Sequence, residues 1–242
     1  MSDLSRTFGA QTVEPDERER RIRRVFDTVA PRYDLMNDLM SMGIHRLWKR
    51  TFARMAAPRA GETIVDLAGG TGDIARLMAG PDRTVVVCDP STRMMEHGRA
   101  RGLADVRWAA GTGEALPFAD ASVDALTISF GIRNATDIRT ALAEIHRVLK
   151  PGGRFLCLEF SRAAAPIRPF YDFFSLTVIP RLGAMVARAP DAYTYLVESI
   201  RRFPDQESLK RLMEEAGFAD VRYRNFSFGI ACVHVGTKQA GG

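Results

Sequence analysis

Residues 66–73, with the sequence DLAGGTGD, form the segment of this chain whose residue types point most clearly to ligand chemistry. The segment follows an apolar run and precedes a stretch with helical periodicity. Gly69, Gly70 and Gly72 permit positive φ and let a ligand approach the backbone closely. Asp89 ends the next apolar run, where an acidic side chain can accept hydrogen bonds from ribose hydroxyls. This arrangement predicts a nucleotide-containing cofactor.

The glycine loop alone does not decide which cofactor binds. Gly70 and Gly72 fit the GxGxxA fingerprint of NAD-binding proteins, and they fit an S-adenosylmethionine site equally well. Asp66 favours the second cofactor, because an acid at the start of the loop suits a cationic amino group better than a pyrophosphate. The downstream segments 114–118 (EALPF) and 149–153 (LKPGG) support the same choice, since they resemble the later motifs of class I methyltransferases.

The composition is that of an ordinary globular protein, and it excludes several classes. The 242 residues suit one α/β domain, and no window approaches the roughly 18 apolar residues of a transmembrane helix. The N-terminus lacks the apolar core of a signal peptide. The three cysteines lie in separate apolar runs, match no metal spacing and indicate small buried side chains in a reduced compartment. We therefore expect a cytoplasmic protein without a bound metal.

A net charge of +5 comes largely from an arginine-rich stretch near the N-terminus. Two interpretations remain open: a basic face that binds anionic lipid or nucleic acid, or a solvated helix face on which glutamates balance the arginines. No nucleic-acid-binding motif accompanies the charge, so we expect no nucleic-acid partner. The arginines are Arg18, Arg20, Arg21, Arg23, Arg24 and Arg32.

Hydrophobic periodicity predicts an N-terminal helical lid followed by an α/β sheet. Residues 1–15 lack periodicity and are predicted to be disordered. A helix is predicted from Asp16 to before Pro31, and a second over 33–56, so that 16–56 form the lid. Predicted strands cover 63–67, 84–88, 106–109, 124–129, 154–160, 221–226 and 230–236; predicted helices cover 73–78, 91–100, 137–149 and 206–216, with a turn at 151–153.

The alternation predicts a Rossmann-like α/β fold: a doubly wound, mostly parallel seven-stranded sheet with one antiparallel strand near the C-terminus. One segment, 163–203, breaks the alternation, is rich in aromatic residues and proline, and is too long for a simple connection. We interpret it as a helical cap over the carboxyl ends of the strands, where ligands of such sheets bind. Residues 16–242 then form a single domain.

Four longer stretches narrow the class of methyltransferase. They are 33–37 (YDLMN) leading to Ser41 and 45–48 (HRLW), 147–153 (RVLKPGG) leading to 158–161 (LEFS), 127–134 (TISFGIRN) and 195–204 (YLVESIRRFP). This set resembles the ubiquinone/menaquinone biosynthesis C-methyltransferase family over about 25–238, nearly the whole chain. The first two stretches are specific to that family, whereas the glycine loop is not.

The resemblance implies that the chain transfers a methyl group from S-adenosylmethionine to a ring carbon of a polyprenylated benzoquinol or of demethylmenaquinol. By motif position it implies cofactor contacts from Thr71, Asp89, Thr112, Gly113 and Ser129, beside the loop residues already named. At 112–113 the chain departs from the family, since many members carry Asn or Asp and then Ala there. The amide or carboxylate expected near the adenine is absent, and the backbone N–H of Gly113 remains as a donor to adenine N1.

Carbon methylation needs an electron-rich ring carbon, which a phenolate supplies better than a neutral phenol. Arg133 and Asn134 follow the strand that ends at Ser129, at the carboxyl edge of the sheet. Arg133 can stabilise a phenolate by its charge but is a poor base because it stays protonated; its alternative role is a structural salt bridge. Asn134 can orient the ring hydroxyl or a water. His45 is a candidate acid or base, although a lone histidine is more often a hydrogen-bonded core residue. Glu159, at the end of its strand, is a candidate to support the site from behind the residues that contact the ligand.

Further candidates lie in the lid and the cap. Tyr33 and Asn37 are one helical turn apart, and we assign Tyr33 to the cofactor and Asn37 to the substrate, with capping and packing as the alternative. Asp191, Tyr193 and Tyr195 in the cap are predicted to meet the quinol head.

Two rival functions remain: a methyltransferase with another acceptor, such as a sterol, a lipid amine or a small phenol, and a non-catalytic S-adenosylmethionine-binding scaffold of a quinone-biosynthesis complex. The apolar segments 169–174 and 176–179 allow either an ordinary core under the cap or a route for a prenyl tail to the bilayer. The sequence also leaves open peripheral contact with a membrane or a biosynthetic complex, and a homodimer.

Overall fold

A central sheet of seven strands, flanked by helices, carries the described part of the chain. The computed structural model describes residues 7–8, 11–29, 37–38, 41–178 and 190–240. The strands are β1 Thr7–Phe8, β2 Gln11–Thr12, β3 Thr63–Leu67, β4 Thr84–Asp89, β5 Val106–Ala110, β6 Val123–Ser129, β7 Leu149–Phe160, β8 Phe218–Phe226 and β9 Ala231–Lys238. The α-helices are α1 Pro15–Val29, α2 Ile44–Ala56, α3 Asp73–Met78, α4 Thr92–Arg99, α5 Ile138–Val148, α6 Arg168–Phe173, α7 Pro190–Arg202 and α8 Gln206–Glu215. Short turns of other helical types cover Ile132–Asn134, Phe174–Val178 and Ser227–Gly229.

The strand order β5-β4-β3-β6-β7-β9-β8 makes the sheet doubly wound. The chain runs outward from β3 through β4 to β5, then returns to β6 and runs outward on the other side. β9 is antiparallel to both β7 and β8, and every other pair of neighbours in this sheet is parallel. The predicted fold, with one antiparallel strand among seven, is confirmed.

Side chains alternate between two hydrophobic cores, one on each face of the sheet. Val65 and Leu67 of β3 pack in one core with Ile145 of α5, whereas Ile64 packs in the other with Phe52 of α2. Burial on both faces explains why the strands read as near-continuous apolar runs. The loops at the carboxyl ends of the strands are therefore held on a packed platform.

The lid and the N-terminus differ from the sequence-based expectation. A continuous helix over 33–56 is wrong, because Met42 and Gly43 adopt φ of 49° and 76° and form a turn before α2 begins. Within 1–15, which we predict to be disordered, β1 and β2 pair in antiparallel fashion. Phe8 stacks on Tyr195 with ring centroids 4.7 Å apart, which holds this short pair against the cap.

The predicted turn at 151–153 lies inside β7 and not before it. Val123 pairs with Leu149 and Ala125 pairs with Arg154, so the residues between them bulge out of the ladder. Gly152 has a φ of 79°, which a glycine adopts without strain. Among the described residues, no helix has both the length and the apolar character needed to cross a membrane.

Candidate active site

A cavity of about 430 Å³ lies at the carboxyl ends of β3, β4 and β6, where the strand order reverses. Sheets of this topology bind ligands at that point. The glycine-rich loop forms one part of the wall, and α1 forms another through Asp16, Glu19, Ile22 and Arg23. The predicted cofactor-binding residues in its lining are Asp66, Gly70, Thr71, Asp89, Thr112, Gly113 and Ser129.

Asp66 is buried at the end of β3 and ties the glycine loop to the sheet. Its Oδ1 accepts a hydrogen bond of 2.9 Å from the Thr127 hydroxyl, and its Oδ2 accepts one of 3.1 Å from the Ala75 N–H. Burial raises the pKa of Asp66 to about 7, while these two bonds and the charge of Lys49 act in the opposite direction. A cationic amino group in the cavity would favour the ionised form, so Asp66 suits the ammonium end of S-adenosylmethionine.

Asp89 anchors the loop from the neighbouring strand. Its Oδ2 accepts a hydrogen bond of 2.9 Å from the Gly70 N–H, and its Oδ1 accepts one of 2.8 Å from the Ser91 N–H. Ser91 caps α4 by accepting a bond from the Met94 N–H. An ionised carboxylate has about four lone-pair sites, enough to hold the loop and to accept bonds from ribose hydroxyls as well.

The glycines of the loop have different structural roles. Gly70 lines the cavity with a φ of 55°. Gly72, which we predicted to bind the cofactor, does not line this cavity: it begins α3 with a φ of 81°. A Cβ on Gly72 would lie 3.0 Å from Leu103 Cδ1 and 3.1 Å from the Trp108 ring. Helix start and packing therefore both favour glycine at 72, and its contact with the cofactor stays a prediction.

The Ser129 hydroxyl is buried at the end of β6 and has no hydrogen-bond partner among the described residues. Buried hydroxyls are normally paired, so this one can pair with a ligand in the cavity. Thr112 and Gly113 lie on the same wall, and a Cβ on Gly113 would come within 3.3 Å of the Ala141 Cβ. Glycine at 113 thus fits its neighbour, and the carboxylates, hydroxyl and backbone groups together suit S-adenosylmethionine.

A second cavity, of about 880 Å³, adjoins the first. Lys49 and Phe130 line both cavities, so the two spaces meet at these side chains. Phe130 has a φ of 56°, a strained value for a bulky residue, and such strain concentrates at functional sites. The predicted residues in the wall of this larger cavity are Asn37, His45, Arg133 and Tyr195.

Arg133 forms a buried ion pair with Glu159. Its Nη1 lies 2.9 Å from Oε1 and 3.1 Å from Oε2, and it also donates to the Phe130 carbonyl. Burial raises the pKa of Glu159, and the charge of Arg133 opposes that rise. The structural salt bridge is therefore present, and Arg133 also lines the larger cavity.

Asn134 and Tyr195 are joined by a hydrogen bond, in which the Tyr195 hydroxyl donates to Asn134 Oδ1 at 2.9 Å. Asn134 lines the smaller cavity and Tyr195 lines the larger one. Burial raises the pKa of Tyr195, so its hydroxyl stays protonated and remains the donor. The bond fixes the cap helix α7 to the turn that follows β6.

His45 is buried, and its Nδ1 shares a hydrogen bond of 2.8 Å with Ser41 Oγ. Burial and the nearby Lys49 lower its pKa, and Asp38 only partly opposes them. His45 is thus predominantly neutral near pH 7.

Three other predicted site residues cannot be placed in the site. Tyr33 lies outside the described residues, and only the backbone of α7 is described at Asp191 and Tyr193.

Arg18 is a buried residue beside the site that the sequence interpretation missed. We grouped it with the surface arginines of α1, but its side chain is 2% exposed. The glutamate-balanced face does exist for its neighbours, because Arg20 and Arg21 pair with Glu17. The position of Arg18 four residues before the buried Ile22, on the apolar face of α1, is the signal that could have revealed it.

Lys49 was also missed, although it lies one helical turn after His45. Its Nζ lies 3.0 Å from Asp73 Oδ2, and Arg101 Nη1 lies 3.1 Å from Asp73 Oδ1. One carboxylate thus faces two cations, and the three side chains carry a net positive charge beside the junction of the cavities.

Residues 14–238 match the model of the ubiE/COQ5 methyltransferase family. The chain belongs to the ubiE/COQ5 methyltransferase family. Over 237 residues it is 70% identical to the ubiquinone/menaquinone biosynthesis C-methyltransferase UbiE of Rubrivivax gelatinosus. The matched region covers 98% of this chain and 94% of that relative. The protein of the same name from Caulobacter vibrioides is 49% identical over 98% of this chain and 99% of its own.

Solved structures share the fold of this ubiE/COQ5 family member at low identity. A possible histamine N-methyltransferase from Thermotoga maritima has a TM-score of 0.66 and 22% identity, covering 89% of this chain and 99% of its own. Phosphoethanolamine N-methyltransferase 2 of Haemonchus contortus, in complex with S-adenosyl-L-methionine, has a TM-score of 0.60 and 16% identity over 79% of this chain and 52% of its own. Family membership and this fold make the chain an S-adenosylmethionine-dependent methyltransferase.

Proposed function

We propose that this enzyme methylates a ring carbon of a polyprenylated quinol in ubiquinone or menaquinone biosynthesis, namely 2-polyprenyl-6-methoxy-1,4-benzoquinol, demethylmenaquinol or both. The observation that carries the proposal is the 880 Å³ cavity beside the cofactor cavity. Apolar and aromatic side chains form more than half of its wall, which suits a prenylated ring. The name of the 70% identical relative supports the same acceptor class.

S-adenosylmethionine supplies an electrophilic methyl group when it is bound. The residues of this chain have to hold the ring at the junction marked by Lys49 and Phe130, exclude water and favour the phenolate. Lys49 brings an ammonium to that junction, and Arg133 brings a guanidinium whose charge is shared with Glu159. His45, being neutral, can accept a proton from the ring hydroxyl, directly or through water.

Complementation tests the acceptor. Expression of the chain in cells that lack this methylation step should restore the methylated quinones, identified by mass spectrometry, and Asp89→Ala serves as an expressed but inactive control. Continued accumulation of the unmethylated precursors, with folded and cofactor-binding protein present, would rule out the quinol acceptor. The identity of the restored quinone separates the benzoquinol from the naphthoquinol.

We further propose that the mouth of the larger cavity docks on an anionic phospholipid surface. Large exposed apolar side chains line this cavity or directly neighbour a lining residue in sequence: Met42 is 81% exposed, Phe170 78%, Phe228 74% and Phe173 65%. Met42 and Phe170 line the cavity itself, and Arg162 and Arg168 lie in the same wall. Exposed aromatic and aliphatic groups beside cations are typical of a surface that inserts among lipid headgroups. Docking there would open the cavity towards a prenyl tail held in the bilayer.

Vesicle binding tests this surface. Phe170→Ser with Phe173→Ser should weaken binding to phosphatidylglycerol-containing vesicles by about tenfold or more, because two exposed rings no longer enter the interface. Leu77→Ser is the matched control, since Leu77 is 41% exposed on α3 and does not line this cavity. Equal binding of both variants in a sedimentation assay would show that the membrane contact lies elsewhere or is absent.

A further inference from the structure

Arg18 carries a charge from the N-terminal helix into the interior of the protein. Its Nη1 donates hydrogen bonds of 3.0 Å to the Asn134 carbonyl and 3.1 Å to the Ala135 carbonyl. Its Nη2 donates one of 3.3 Å to the Arg133 carbonyl. Three successive carbonyls of the turn after β6 are therefore held by one guanidinium from a helix more than 100 residues earlier in the sequence.

The two elements that Arg18 joins both belong to the site. α1 forms a wall of the cofactor cavity through Asp16 and Ile22, and it reaches the larger cavity at Val25. The turn at Ile132–Asn134 lies between the cavities, because Arg133 lines the larger one and Asn134 the smaller one. Arg18 thus connects the helix over the cofactor with the turn that carries two of the catalytic candidates, Arg133 and Asn134.

Guanidinium chemistry explains why arginine suits this position. Its planar fork presents several donors in fixed directions, so a single side chain can satisfy several backbone carbonyls. A lysine ammonium is a compact point charge and does not reproduce that fork. Burial lowers the pKa of Arg18, and the nearby Tyr195 and Glu114 counter that effect. A charge in the interior is tolerated only when its donors are satisfied. This requirement favours the position of α1 in which Arg18 reaches the three carbonyls.

We propose that Arg18 is a positioning residue of the methyl transfer. It seats α1 over the cofactor and fixes the turn at Ile132–Asn134, so that cofactor retention and the placement of Arg133 and Asn134 depend on the same side chain. The part of the inference that concerns the quinol ring rests on the proposed function; the part that concerns the cofactor does not. Cofactor exchange then requires α1 to leave the turn, with loss of the three carbonyl bonds.

The test compares two conservative changes on one helix. Arg18→Lys should raise the dissociation rate of S-adenosylhomocysteine, measured by stopped-flow fluorescence, by about tenfold or more, because bonds from a charged donor are lost. It should also lower kcat for the quinol, through the displaced turn. Arg20→Lys is the matched control, since Arg20 lies on the exposed face of α1 and pairs only weakly with Glu17.

Limited trypsin digestion reports on the helix directly. S-adenosylhomocysteine should protect the cleavage sites at Arg20–Arg24 in the parent and in Arg20→Lys, and should protect them far less in Arg18→Lys. Added guanidinium should partly restore slow dissociation to a folded Arg18→Ala variant. Parent-like dissociation and protection in Arg18→Lys would overturn the proposal. Normal cofactor behaviour with no quinol methylation in the parent would instead refute the proposed acceptor.

Discussion

Replacing Asp89 with alanine should weaken S-adenosylmethionine binding by at least about a hundredfold. Hydrogen bonds from ribose hydroxyls to a carboxylate contribute about 1.5–3 kcal/mol each, and two of them would be lost. The same change removes the acceptor of the Gly70 and Ser91 N–H groups, so the glycine loop also loses its anchor on β4. Isothermal titration calorimetry with the purified protein measures the affinity.

Two controls separate these effects. Asp105→Ala removes an exposed carboxylate after α4 and should leave the affinity unchanged, since Asp105 does not line the cofactor cavity. Asp89→Asn keeps an acceptor for one N–H group and should bind more tightly than the alanine variant. If Asp89→Ala stays folded and binds the cofactor within about threefold of the parent, Asp89 does not hold the ribose.

Much of the cofactor site could be predicted because it depends on local sequence. Asp66 and Asp89 each lie at the end of an apolar strand, and parallel strands bring their carboxyl ends to one edge of the sheet. The serine cap of α4 is a local pattern too, and the structure contains it at Ser91. In these cases a short stretch of sequence is enough to predict the residue, the strand or helix that carries it, and the end of that element at which it lies.

The contacts that depend on long-range packing could not be predicted in this way. Glu159 lies 26 positions from Arg133, and nothing near either residue indicates that they pair. Arg18 lies 116 positions from Asn134, and its charge favoured a surface location. The packing around Gly72 could not be predicted either, because its motif position suggested only a ligand, whereas a Cβ there would also crowd Leu103 and Trp108.

Arg133→Ala should lower kcat by about a hundredfold or more while leaving cofactor affinity within about threefold. The change removes a cation from the wall of the larger cavity, where it would stabilise charge that develops on the ring. It also leaves Glu159 buried without its partner, so we expect the free energy of unfolding to fall by about 3–5 kcal/mol. Thermal denaturation has to accompany the kinetics, because loss of folded protein would lower the apparent kcat and the amount of bound cofactor together.

Glu159→Gln separates the catalytic role of Arg133 from its structural role. In the parent, the carboxylate neutralises the guanidinium at 2.9 Å. Without it, Arg133 carries an uncompensated charge, which should lower the pKa of a nearby ring hydroxyl and shift the kcat–pH profile to lower pH. A merely structural Arg133 would give a less stable enzyme with an unmoved profile. The direction of that shift is decisive, because destabilisation alone lowers the height of a pH profile without displacing its acidic limb.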